Sequence, residues 1–213
     1  MTDWPTCDDP DRMLTALGEA ISDRKLLLFA CGCLRLVEGR LPPAVRGVAD
    51  GFERAADGTA ASTRKSILWN LAAALGGDPA GVAAFAYGLV PLGARLLGRQ
   101  VVAAARAVEL ADLGTKTAPA AVSTRHPGQA ALLRELHGPT FVRPAFDPAW
   151  RTEAVTGLAR AAYEGKAIDR LPILADALED AGCDDPMILS HCRNMTLTHV
   201  KGCWVVDQAF GLD

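Results

Sequence analysis

Apolar residues recur along this chain at every third or fourth position far more often than at every second. That is the spacing of helices rather than strands. In RLLGRQVVAAARAVELADL, Leu97, Val101, Ala104, Val108 and Ala111 fall on one stripe. Arg95, Arg99, Arg106 and Glu109 fall on the opposite side, so an amphipathic helix is predicted across 95–112. Val155, Leu158, Ala159 and Ala162 repeat the pattern, with Glu153, Arg160 and Glu164 on the polar face. Leu26 through Leu34 is apolar nearly all round, which predicts a central, buried helix. The Ala-rich runs 71–74 and 102–105 let helix axes approach closely, because small side chains leave room. Strands across 24–38 or 95–112 would contradict this reading.

Helix starts are marked by a repeated dipeptide. Asp9-Pro10, Asp78-Pro79, Asp147-Pro148 and Asp185-Pro186 each precede a helical pattern. An Asp at the N-cap accepts hydrogen bonds from amides of the first turn. Pro at the next position has no N–H to leave unsatisfied and a backbone angle already suited to helix. Two of the four sit in copies of Cys-Asp-Asp-Pro, at 7–10 and 183–186. The other two lack the Cys, so the repeat reads as a helix start with a cysteine just upstream.

Two segments break the helical rhythm. Residues 114–128 are small and polar apart from Val122, and form a loop that marks a soft internal boundary. HGPTFVRPAFDPAW, from 137 to 150, is irregular, and Phe141, Phe146 and Trp150 are expected to pin it to the core. The predicted fold is therefore all-α. It is a compact multi-helix bundle in one domain, 1–213, of about eight to ten helices at ordinary helix lengths, with room for two lobes.

Composition narrows the classes. Half of the residues are hydrophobic and 22% charged, with a formal net charge of −3. No basic face is evident, so no nucleic-acid partner is expected. The apolar runs are interrupted before the ~18–20 residues a membrane span needs, and the acidic start, Met1-Thr2-Asp3-Trp4-Pro5, is not a signal peptide. The cytoplasm, with reduced cysteines, is the default. No Walker loop, dinucleotide fingerprint, His-Glu-x-x-His or Gly-x-Ser-x-Gly is present. The acidic LADALEDAGCDD reads as a solvated helix face ending at Gly182, with Asp176, Glu179 and Asp180 outward.

Chemistry concentrates near the C-terminus. Cys183, His191, Cys192, His199 and Cys203 are five of the ten Cys and His residues of the chain. Such soft and borderline ligands suit a zinc site, and His199-x3-Cys203 matches the closing half of many. The opening half is poorer: seven residues lie between Cys183 and His191, and His191 and Cys192 would point about 100° apart on a helix. A competing reading makes Cys192 and Cys203 buried packing residues. In another, His199, Cys203 and Asp207 step by four and align a base, a thiol and a carboxylate on one helix. Cys31 and Cys33 point about 200° apart on a helix and cannot chelate one ion together.

SDRKLLLFACGCLR near the start, FDPAW in the middle, and DRLPILADALEDAGCDD, HCR and HVKGCWVVDQAFG near the end resemble an uncharacterised family of planctomycete bacteria. Its members are similar to regions that accompany short repeat-companion modules. The resemblance implies a soluble, often modular bacterial protein and assigns no activity. The leading expectation is a non-enzymatic helical module that binds another protein, through a groove between helices or through the 114–128 loop. The alternatives are a zinc-binding helical protein centred on 183–203 and a cysteine-dependent hydrolase using Cys203.

Overall fold

The computed structural model describes residues 3–36, 38–40, 50, 53–54, 56–58, 126–139, 143–165 and 168–212. The predicted helix at 95–112, the Asp78-Pro79 start, Phe141 and most of the 114–128 loop lie outside the described residues. Within the described residues the chain is all-α: seven α-helices, three single turns of 3-10 helix and no strand. The helices are α1 (Pro10–Leu17), α2 (Asp23–Leu36), α3 (Pro127–His137), α4 (Glu153–Tyr163), α5 (Leu171–Asp180), α6 (Pro186–Arg193) and α7 (Trp204–Phe210). None of them is long and apolar enough to cross a membrane.

Residue contacts divide the chain into two compact units, Asp8–Leu132 and Met1–Cys7 with Leu133–Asp213. Helix α3 opens at Pro127, so the end of the segment expected to be loop is helical.

In the first unit, Asp9 caps α1 by accepting from the amides of Asp11 and Arg12 at 3.0 and 3.1 Å. Ser22 Oγ does the same for Lys25 N–H at the start of α2. Every residue of α2 from Lys25 to Leu34 is buried, as its all-round apolar pattern predicts. Gly32 lies in that run because a Cβ there would come within 3.0 Å of the Leu132 side chain. The helix continues through Gly32, so Cys31 and Cys33 diverge. The Cys31 thiol meets Glu53 at 3.5 Å, and burial pushes its pKa up to about 12.

In the second unit the principal pairings are α4 with α7, α5 with α6, and α4 with α5, with a smaller α6–α7 contact. Val155, Ala159, Leu174, Leu178, Ile188 and Trp204 form the centre of its core. Phe146 and Trp150 pack edge to face at 5.4 Å against that core, which pins the irregular segment as expected. Asp185 caps α6 through Met187 N–H and Ile188 N–H at 2.8 and 3.1 Å. Asp147 caps only the single turn Pro148–Trp150; α4 begins at Glu153, capped by Thr152. Asp176, Glu179 and Asp180 face outward on α5, and Arg193 from α6 bonds Asp176 and Glu179.

Candidate metal centre

Four side chains from three places in the second unit meet at one point. Glu135 projects from the last turns of α3, beside the buried Leu133 and Leu136. His191 projects from the last turn of α6. The helix stops at Asn194, whose Oδ1 accepts from the amide and hydroxyl of Thr196 at 3.0 and 2.6 Å. This turn sends the chain back past His199. A second turn, from Cys203 N–H to Val200 O at 3.0 Å with Gly202 at φ 88°, then places Cys203 at the N-cap of α7.

One ligand atom from each of Glu135, His191, His199 and Cys203 lies within 4.8 Å of all the others. His191 Nε2 is 3.2 Å from Cys203 Sγ and 3.5 Å from Glu135 Oε2. His199 Nδ1 is 3.0 Å from Glu135 Oε1. Ligands at ~2.0–2.3 Å from a tetrahedral ion stand about 3.3–3.6 Å from one another, so the three separations of 3.2, 3.5 and 3.0 Å are close to the edges of such a shell, within a group spread over up to 4.8 Å. The site is deep: the side chains of Glu135, His191 and His199 are 5%, 8% and 7% exposed, and Cys203 is 0% exposed. The two imidazoles stand edge to face at 5.0 Å, and the Trp204 ring lies 5.2 Å from His191 on another side.

Electrostatics give each group a distinct state. Burial alone would raise the Glu135 pKa, but hydrogen bonds and charge from His191 and His199 outweigh it and hold the carboxyl below its ordinary value. Burial, with the Glu135 charge added, keeps the Cys203 thiol protonated well above its ordinary range. A backbone contact from Val206 pulls the other way, toward thiolate. An ionised carboxylate in so dry a place calls for a compensating positive charge. A cation bound by all four groups would supply it and would take the place of the thiol proton.

The sequence-derived candidates separate into two sets. His191, His199 and Cys203 converge. Cys183 and Cys192 do not join the group; both are buried in the apolar core of the unit. His191 and Cys192 diverge as neighbours on a helix must, one toward the site and one into the core. Burial pushes the Cys192 thiol up to about 12, as suits a packing residue. Glu135, the fourth member, stands 56 positions before His191 and outside the Cys- and His-rich segment that marks the other three. Its signal in the sequence is slight: Ala131 and Leu132, one turn before it on α3, leave it the acidic member of an otherwise apolar stripe.

The expected alignment of His199, Cys203 and Asp207 on one helix does not form. Helix α7 starts at Trp204, and His199 bonds Glu135. The imidazole beside the thiol is that of His191. Its Nε2 also faces Glu135, whereas a triad would place the carboxylate on the opposite ring nitrogen. Fold and site together define a helical protein with a buried group, Glu135, His191, His199 and Cys203, that could hold a metal ion. No family model matches the chain, and no curated protein or solved structure is significantly similar to it.

Proposed function

We propose that this chain is a zinc-binding helical protein in which the metal is structural. The reading is carried by one observation: the Cys203 sulfur and a Glu135 oxygen both approach the same atom, Nε2 of His191. With the thiol proton in place, hydrogen bonds among the three groups satisfy this crowding; a cation at that point would displace the proton and draw on all three side chains at once. The donor set of two imidazoles, a thiolate and a carboxylate suits zinc and disfavours calcium or magnesium, which take oxygen ligands. Four protein ligands in a buried shell leave no open position for substrate, as in structural rather than catalytic zinc sites. Such a metal would tie α3 to α6 and to the segment leading into α7.

The protein-interaction reading has no comparable convergence behind it. Among the described residues the large exposed apolar side chains are Leu36, Ile173, Met195, Leu197 and Leu212. They come from α2, α5, the 194–203 segment and residue 212.

Metal analysis of protein purified without a histidine tag tests the proposal. The expected result is about one zinc per chain, lost in His199→Ala and Cys203→Ser and kept in Cys183→Ser and Cys192→Ala. Wild-type protein that holds no transition metal after exposure to zinc would refute it.

A further inference from the structure

Glu135 reaches the other three ligands from a separate helix, α3. Helices α4, α5, α6 and α7 pack on one another, but among the described residues α3 forms no comparable helix–helix pairing with any of them. The last turn of α3 is gripped by residues 4–7. Trp4 is 2% exposed. Its indole Nε1–H donates to Gly138 O at 2.9 Å, and its ring meets His137 edge-on at 5.4 Å. Arg134 Nη1 donates in return to Trp4 O at 3.3 Å and to Cys7 O at 2.8 Å. The segment is braced internally by Cys7 N–H to Asp3 O at 2.8 Å and by Thr6 Oγ1 to the Asp3 carboxylate at 2.5 Å. The residues it grips, 134, 137 and 138, flank Glu135 on both sides. Gly138 sits at φ 123°, and a Cβ there would come 3.8 Å from the ring of Trp204, the residue after Cys203.

We propose that the N-terminal segment Asp3–Cys7 is a positioning element of the metal site, acting through Trp4 and Arg134 to hold Glu135 against the two histidines. This rests on the zinc reading. Trp4 and Arg134 touch no metal. They fix the end of α3 so that the carboxylate arrives where His191, His199 and Cys203 already point. Free of this clasp, the turn bearing Glu135 would shift, while the other three ligands, all C-terminal, would stay together.

Cobalt(II) is the probe, because it reports ligands by colour. The sulfur of Cys203 gives a thiolate-to-cobalt charge-transfer band, and compact four-coordination gives strong visible d–d bands. Trp4→Phe removes the indole N–H and keeps the ring packing; Arg134→Ala removes the other half of the clasp. Each is expected to weaken zinc binding about 10-fold, the lower end of the loss seen when outer partners of metal ligands are removed. Each is also expected to weaken the d–d bands as Glu135→Ala does, while the charge-transfer band and the far-ultraviolet helical signal persist. Wild-type affinity and spectrum in both variants would overturn the clasp. So would joint loss of both bands and of helical signal in Trp4→Phe, which would make the segment a general fold element. If Arg134→Ala fails to fold, Trp4→Phe decides alone. Failure of the wild-type protein to bind cobalt or zinc would overturn the metal reading itself.

Discussion

Glu135 Oε1 lies 3.0 Å from His199 Nδ1, across 64 positions of sequence, in a site where neither side chain is more than 7% exposed. A buried carboxylate held by imidazoles is costly unless positive charge balances it.

Zinc should stabilise the folded chain by mass action. At free zinc about 100-fold above Kd the gain is about 2.7 kcal/mol. For a chain of this size that raises Tm by roughly 5–10 °C. Scanning calorimetry with and without zinc measures it. Cys203→Ala is expected to show no zinc-dependent rise.

In metal-free protein the depressed pKa of Glu135 makes stability depend on acidity. Its folded value lies below the ordinary carboxyl value of 4.5, so its contribution is fully present above that value. The contribution falls away as the pH drops through the lower, folded value. Urea unfolding between neutral and acid pH should show this loss in the wild type, and a flatter profile in Glu135→Gln. Equal slopes in the two proteins would remove the carboxylate from the balance.

Thiol chemistry separates a packed cysteine from a nucleophile. Cys31, Cys183, Cys192 and Cys203 carry free buried thiols, and burial raises the pKa of each. Labelling of native protein by a thiol reagent at neutral pH should begin at the half-buried Cys7, with these four reacting only on unfolding. Labelling of Cys203 faster than free cysteine would instead support a nucleophilic role.

Asp185→Ala removes the acceptor of two amides at the start of α6 and should cost about 1 kcal/mol of stability by urea titration. Asp147→Ala should cost less, because Asp147 holds one amide of a single turn.

What was legible in the sequence was local. The Asp-Pro starts at Asp9 and Asp185 act within three residues of themselves and cap α1 and α6 as predicted, whereas Asp147 caps only the single turn Pro148–Trp150 and Thr152 starts α4. The unbroken apolar run of α2 reads as buried because no polar face interrupts it. Trp204-Val205-Val206 is an apolar run too short to tell a strand from a helix by its pattern. Only the turn at Gly202 and the packing of α7 on α4 decide for helix. His191, His199 and Cys203 drew attention by crowding into a short segment. Glu135 did not, because its partners are remote in sequence and acidic residues are common. The clasp on α3 was out of reach for the same reason: Trp4 and Gly138 are 134 positions apart.

X-ray absorption at the zinc edge, on protein loaded with one equivalent, tests the four-ligand centre most directly. One sulfur at about 2.3 Å and three nitrogen or oxygen atoms at about 2.0–2.2 Å are predicted. Two or more sulfurs would shift the site toward Cys183 or Cys192. A shell of oxygens alone would place the zinc elsewhere on the protein. Either result would contradict a centre built from Glu135, His191, His199 and Cys203.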